Sequence, residues 1–188
     1  MKLSEKMLSK HYVYQGKIIK LRLDSALLPN GRCAAREVVE HPGGVCIAPL
    51  TADGCLLFVR QFRYPYQEIL LELPAGKLDP NEEPLTCGRR ELKEETGAEA
   101  AHFADLGKLY PSPGYCAEII HLYAATELSF GASCPDEDEF LSVEKIPLED
   151  AVKMVLHNEI RDAKTQTAVL KIISFMAAYL NNHSLYSS

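Results

Sequence analysis

Three glutamates crowd one short segment of this 188-residue chain. Glu91, Glu94 and Glu95 lie within five residues of one another, and a helix would place them inside an arc of roughly 100° on one face. Like charges four residues apart destabilise a helix by about 0.2–0.5 kcal/mol. Such a cluster is useful where it binds a cation, and hard divalent cations such as Mg²⁺ take carboxylate and carbonyl oxygens. A solvated acidic helix face is the alternative that these three residues leave open.

The spacing of the surrounding residues favours the cation site. Five residues separate Gly76 from Glu82, and seven more separate Glu82 from the run Arg90–Ala98, which reads RELKEETGA. This resembles the Nudix box, G-x5-E-x7-R-E-U-x-E-E-x-G-U, where U is aliphatic. All seven specified residues are present, a match expected by chance roughly once in 10⁸ starting points. Only the last position departs from the pattern, because Ala98 is small for an aliphatic residue.

The resemblance implies a hydrolase that cleaves a nucleoside diphosphate linked to another group. It implies a metal site built from oxygen donors: Glu91, Glu95, Glu94 and the backbone carbonyl of Ala75. A metal ion there would neutralise the diphosphate, hold it in line and activate the attacking water. Mg²⁺ is therefore the expected cofactor, with Mn²⁺ as a substitute.

Other positions of the box are expected to support this site. Arg90 and Glu82 would form an ion pair that fixes the loop against the helix. Gly76 suits a loop that leaves a strand, and Gly97 suits the left-handed residue after a helix. Pro84 fits the first helical turn, where a missing N–H costs nothing. The sequence thus predicts a helix that ends at Gly97.

Segments outside the box resemble the ADP-ribose pyrophosphatase branch of the family. Pro113, in the run YPSPG, lies sixteen positions after Gly97. Arg63 ends the run VRQFR, and Glu72 begins ELPAG. Together with Arg36, these are the residues that the resemblance implies for substrate binding, and an arginine fork suits phosphate. A plain Pro-Gly turn and a solvated strand-end charge are the alternatives for Pro113 and Arg63.

A general base is still needed beside the metal ligands. The acidic run Asp136–Phe140, DEDEF, corresponds to a loop that supplies a glutamate for the attacking water in the same branch. The match points to Glu139, with Glu137 as the second candidate. Glu94 and Arg90 complete the catalytic group that the resemblance implies.

The order of patterns predicts an α+β protein. Helices are expected at the box and at about 148–157 and 164–180. Strands are expected within 11–41, at 44–50, 55–62 and 68–76, within 102–115 and 118–128 on either side of a Pro-rich loop, and at 140–148. The resemblance specifies the Nudix fold, a mixed sheet sandwiched between helices. Residues 1–42 would form an N-terminal antiparallel β subdomain used in dimerisation, and residues 43–188 the hydrolase domain.

Composition narrows the partners and the compartment. The net charge of −6 provides no basic surface for nucleic acid or an anionic membrane. The start MKLSEKMLSK lacks the apolar stretch of a secretory signal, and the apolar run Ala168–Leu180 is too short to span a bilayer. The six cysteines form no C-x-x-C pair, which predicts buried, reduced thiols. We therefore expect a cytoplasmic protein that binds neither nucleic acid nor a membrane. The resemblance adds a small nucleotide-sugar substrate and a homodimer.

Two other functions stay open. The first is hydrolysis of another nucleotide sugar, such as GDP-mannose or ADP-glucose, or of a broader set. The second is a module that binds ADP-ribose without cleaving it. Such modules typically lose box glutamates, whereas Glu91, Glu94 and Glu95 are all present here. The chain has no tryptophan, so a tyrosine or phenylalanine would have to stack on the adenine.

Overall fold

The computed structural model describes residues 3–131 and 140–184. Their elements, in chain order, are β1 Lys6–Gln15, β2 Lys20–Leu27, β3 Cys33–Glu40, β4 Gly44–Pro49, β5 Cys55–Arg63, β6 Glu68–Glu72, β7 Ala75–Lys77, α1 Pro84–Thr96, β8 Ala98–Leu109, β9 Ile120–Phe130, β10 Leu141–Pro147, α2 Leu148–Leu156 and α3 Ala163–Ser184. The predicted α+β class is confirmed.

The chain divides into two compact units. The first contains Met1–Gly43 and Tyr110–Ile119, and the second contains Gly44–Leu109 and Ile120–Ser188. The Pro-rich segment after β8 therefore groups with the N-terminal strands, although a single cut after residue 42 would assign it to the hydrolase domain.

The first unit is built on an antiparallel sheet of three strands in the order β1-β2-β3. Gly31, with φ of 82°, lies in the turn between β2 and β3. Strand β1 begins at Lys6, several residues before the predicted start near His11. The early part was missed because its side chains are exposed and show no alternation, so pairing with β2 decides its conformation.

The second unit contains two sheets, ordered β7-β4-β9-β8 and β10-β5-β6. Strands β4 and β9 run parallel, and the other pairs are antiparallel, so the first of these sheets is mixed. Strand β7 is short and lies at the edge, where Ala75 pairs with Cys46 of β4. The box follows this edge strand directly.

Strand β4 places helices on both faces of the mixed sheet. Successive side chains of a strand point to opposite faces. Val45 and Ile47 belong to the same core cluster as Leu92 of α1. Cys46 and Ala48 belong to the other cluster, together with the buried residues of α3. This arrangement confirms the predicted sheet between helices and explains why every residue of β4 is buried.

The five described cysteines are free thiols. Cys46 and Cys87 are buried as predicted, but Cys33 is exposed at the start of β3, so the prediction of burial is wrong there. Within the described residues, no helix is both long enough and apolar enough to cross a membrane.

Candidate active site

Helix α1 carries the three box glutamates, and local sequence sets both of its ends. Pro84 is its first residue. Gly97 follows its last residue with φ of 69°, and the Gly97 N–H closes the final turn at 2.8 Å. Glu91 and Glu95 lie on the buried face, with 7% and 2% of their surface exposed, and Glu94 is half-buried. The helix thus directs acidic side chains toward the sheet edge.

Gly76 provides the space that the Glu91 carboxylate occupies. A methyl group built on the Gly76 Cα would lie 1.8 Å from Glu91 Oε1 and 1.9 Å from the carboxyl carbon. Gly76 is the central residue of strand β7 and pairs with Val45 of β4. The absence of a side chain at this position therefore lets α1 bring a carboxylate against the strand.

Arg90 connects the loop to the helix. Its Nε and Nη2 donate to the two carboxylate oxygens of Glu82, each at 3.0 Å. Its Nη1 donates to Glu91 at 2.7 Å and to Glu94 at 2.9 Å. The ion pair between Glu82 and Arg90 is the one that the box spacing predicts, and the same guanidinium also orients two of the clustered glutamates.

The ion pair keeps both partners charged. The hydrogen bond from Arg90 outweighs partial burial and lowers the pKa of Glu82 to about 2. The hydrogen bond to Glu82 in turn raises the pKa of Arg90 further. Glu82 also accepts a hydrogen bond from the Asp79 N–H at 3.0 Å. The loop between β7 and α1 is therefore fixed at two points by one carboxylate.

Glu95 ties the helix to the first residue of β7. Its Oε2 accepts the N–H of Ala75 at 3.2 Å. Because the Glu95 side chain is almost fully buried, this contact brings a second carboxylate to the strand that carries Gly76. The predicted metal donors Ala75, Glu91 and Glu95 thus come from adjoining parts of β7 and α1.

The donor chemistry of this site fits a hard divalent cation. The donors are carboxylate oxygens and backbone carbonyls, which such cations prefer. Among the described residues, no group of three or more His, Cys, Asp or Glu side chains is already arranged around a common point. Arg90 accounts for part of this, because it binds oxygens of Glu91 and Glu94. The oxygen donors of the box are of the type that a divalent cation prefers. A bound cation would share the carboxylates of Glu91 and Glu94 with Arg90.

Arg63 is held by a buried carboxylate. Its Nε donates to Glu72 Oε1 at 2.7 Å, and its Nη2 donates to Glu72 Oε2 at 2.6 Å. Glu72 is only 1% exposed, whereas the Arg63 side chain is 35% exposed. Burial alone would raise the pKa of Glu72, but the hydrogen bond from Arg63 and the charges of Arg63 and Lys164 lower it to about 2. The pair therefore presents a fixed guanidinium at the surface.

A second cation reaches the same carboxylate from the start of α3. Lys164 donates to Glu72 Oε2 and lies 3.0 Å from Asp162 Oδ1. Asp162 also accepts the N–H of Thr165 at 2.9 Å, as a helix N-cap does. The Thr165 hydroxyl accepts the N–H of Leu73 at 2.9 Å. The run RDAKT shows in sequence that Asp162 can cap a helix. It does not show that Lys164 contacts Glu72 or that Thr165 contacts Leu73.

Two of the remaining predicted residues, Arg36 and Pro113, belong to the first unit. Arg36 is exposed and forms a two-point ion pair with Glu5, at 2.7 and 3.0 Å. Pro113 lies in a turn of the segment that pairs with β3. Glu137 and Glu139 lie outside the described residues, and so their roles stay predictions.

The fold and the box define a class of metal-dependent hydrolase. A family model described as NUDIX domain matches residues 40–167, and one described as nucleoside diphosphate sugar hydrolase N-terminal domain matches residues 5–39. The chain belongs to the Nudix family, and it is a Nudix hydrolase. Enzymes of this family use a divalent metal ion.

Similar proteins cover most of the chain. An ADP-ribose pyrophosphatase of Bacillus subtilis is 43% identical over 89% of this chain and 91% of its own. A methanol dehydrogenase activator of Bacillus methanolicus is 39% identical over 88% and 90%. A GDP-mannose pyrophosphatase of Yersinia enterocolitica is 36% identical over 69% and 73%. A solved ADP compounds hydrolase shares the fold, with a TM-score of 0.83 at 22% identity over 95% of this chain and 98% of its own.

Proposed function

We propose that this protein hydrolyses the pyrophosphate bond of ADP-ribose to AMP and ribose 5-phosphate, with Mg²⁺ as its metal ion and Mn²⁺ as a substitute. The observation that carries the proposal is the gathering of Glu91 and Glu95 at strand β7, beside Gly76. The 43% identical relative named ADP-ribose pyrophosphatase supports the choice of substrate.

The contacts among the described residues suggest which groups bind the metal ion and which hold the loop in place. A divalent cation, when bound by Glu91, Glu94, Glu95 and the Ala75 carbonyl, would neutralise the diphosphate oxygens and activate a water molecule. The Glu82–Arg90 pair keeps the loop in place while these carboxylates bind.

Arg63 would bind the substrate's phosphates. Its Nε and Nη2 are engaged by Glu72, and among the described residues Nη1 has no recorded hydrogen bond. The Arg63 side chain is 35% exposed, and a guanidinium already fixed on one edge can donate to an anion with little loss of side-chain entropy. In this proposal Glu72 orients Arg63 rather than contacting the substrate. Arg36, Pro113 and the base Glu139 keep the substrate and catalytic roles that the resemblance implies.

GDP-mannose is the second candidate substrate. The relative named GDP-mannose pyrophosphatase favours it, although that relative matches a smaller part of the chain. The same box would serve both reactions, since the cleaved bond is a diphosphate in each case.

A binding module without catalysis is the alternative from another class. It would retain ADP-ribose affinity and release no AMP. The three intact box glutamates and the Glu82–Arg90 pair argue against it, because a module that only binds has no need of a carboxylate cluster that holds a catalytic cation.

The deciding experiment is AMP or GMP release from a panel of ADP-ribose, ADP-glucose and GDP-mannose with Mg²⁺. Each substrate is assayed at several concentrations so that kcat/KM is compared. ADP-ribose is expected to be preferred. A higher kcat/KM for GDP-mannose would replace the substrate and keep the reaction class, whereas binding of ADP-ribose without cleavage would support the module. Repeating the assay with EDTA, then Mn²⁺, tests the metal.

We also propose that the first unit forms a homodimer contact. Strand β1 exposes Met7, Leu8 and Val13, each about half accessible. Apolar side chains on an edge strand are expected to be covered in solution. The mass in solution, from light scattering, should be twice that of the 20.9 kDa chain. Charged substitutions at Met7 and Val13 should reduce it to the monomer mass.

A further inference from the structure

Lys164 belongs to a largely buried ionic cluster of the second unit, yet none of the roles described above requires it. Its side chain is 14% exposed. It donates to Glu72, the carboxylate that also holds Arg63. Glu72 already has a cation partner in Arg63, so the contact with Lys164 calls for its own explanation. A function for the second cation is therefore worth seeking.

The cluster is balanced in charge. Arg63 and Lys164 are the cations, and Glu72 and Asp162 are the anions. Without Lys164, two carboxylates would share one guanidinium, and Arg63 would face an excess of negative charge. A buried carboxylate without its cation is strongly disfavoured, so Arg63 would be drawn toward these acids.

Backbone anchoring at this point does not depend on Lys164. The Leu73 N–H is bound by Thr165 Oγ1, and Asp162 caps the helix through the Thr165 N–H. The Leu73–Thr165 bond connects the residue after β6 to the first turn of α3 without the lysine. Replacing Lys164 therefore changes the charge next to Glu72 while the backbone link stays in place.

We propose that Lys164 is a positioning residue, which neutralises Glu72 and Asp162 so that the Arg63 guanidinium remains available to the substrate's diphosphate. This inference rests on the proposed hydrolysis of ADP-ribose. In this inference the start of α3 contributes to substrate affinity, although Lys164 is 92 residues from Glu72 in the chain. The lysine itself touches neither the substrate nor the reacting bond.

The test is the kinetics of Lys164→Met with ADP-ribose and Mg²⁺. KM should rise about tenfold, while kcat changes by no more than about twofold, because the box carboxylates are untouched. Lys164→Arg should restore most of the affinity, since a guanidinium can also bind Glu72. The matched control is Lys153→Met, which removes a lysine from an exposed pair with Asp150 and should leave both constants unchanged.

A paired variant shows whether the lysine acts through Glu72. Glu72→Gln with Lys164→Met should have the same KM as Glu72→Gln alone. The double variant also leaves the net charge of the cluster unchanged. It can therefore be measured if Lys164→Met alone does not fold. A further rise of KM in the double variant would overturn the inference.

The remaining outcomes separate the inference from the function. If the wild-type protein cleaves ADP-ribose and Lys164→Met has an unchanged KM, or loses kcat instead, the inference fails and the function stands. If the wild-type protein does not cleave ADP-ribose, the proposed function fails, and the inference falls with it.

Discussion

The Cα of Gly76 lies against the carboxylate of Glu91, so closely that a methyl group there would be 1.8 Å from Oε1. The two residues are fifteen positions apart in the chain. The Glu91 carboxylate occupies the volume that a side chain at position 76 would need. Gly76 is expected from the sequence in the loop, but it lies inside strand β7, where its missing side chain makes room for the Glu91 carboxylate.

Gly76→Ala is expected to displace the Glu91 carboxylate and lower kcat/KM by roughly a hundredfold, because this acid is a proposed metal donor. The Mg²⁺ concentration for half-maximal activity should rise as well. Both are measured by titrating Mg²⁺ in the AMP-release assay.

Gly88→Ala is the matched control for this change. It lies in the same segment, but a methyl group there would meet Ile47 and Tyr123 at ordinary contact distances of 3.6 Å. Alanine is favoured over glycine inside a helix by about 1 kcal/mol. Activity should be retained with equal or greater stability, and comparable losses in both variants would contradict the role of Gly76.

Glu95→Gln should reduce turnover by at least about a hundredfold while the protein stays folded. The amide oxygen can still accept the Ala75 N–H, so the link between helix and strand is kept. Glu99→Gln, an exposed residue paired with Lys93, serves as the control. Circular dichroism checks folding, and equal turnover in Glu95→Gln and wild type would remove Glu95 from the site.

The free energy of unfolding should fall at acid pH because Glu72 becomes protonated. Its folded pKa of about 2 lies below the ordinary value of 4.5, so its contribution is complete above about pH 5 and is lost as the pH falls through 2. The difference corresponds to about 3 kcal/mol. In Glu72→Gln the free energy of unfolding should be lower at pH 7 and should vary less between pH 5 and pH 2.

Urea unfolding at several pH values measures this effect. Glu144→Gln is the control, because Glu144 forms an exposed pair with Arg60, and such pairs contribute little. An unchanged pH dependence in Glu72→Gln would mean that other carboxylates dominate acid unfolding.

Glu139→Gln should lower turnover far more than it changes the Mg²⁺ requirement, because the proposed role is that of a base. Glu137→Gln is the parallel variant, and the larger loss identifies the base. Loss of metal affinity in Glu139→Gln would make this residue a metal ligand instead.

Local signals explain why the box helix could be predicted closely. Pro84 and Gly97 set its ends through backbone properties of single residues, and the structure places the ends there. The edge strand β1 was predicted less well, because its exposed residues carry no periodic signal and its partner β2 decides its pairing. Arg63 and Glu72 could each be singled out, but their mutual ion pair could not.

The residues of the box were enough to indicate the reaction class, because its acids, arginine and glycines lie within 23 residues at the spacing of the Nudix box. The groups that surround them became visible only in the folded chain. Glu72 meets Lys164 and Leu73 meets Thr165 across 92 residues, and no local rule links positions so far apart. Such contacts follow from the packing of β6 and α3 in one core, where a buried charge must find its partner.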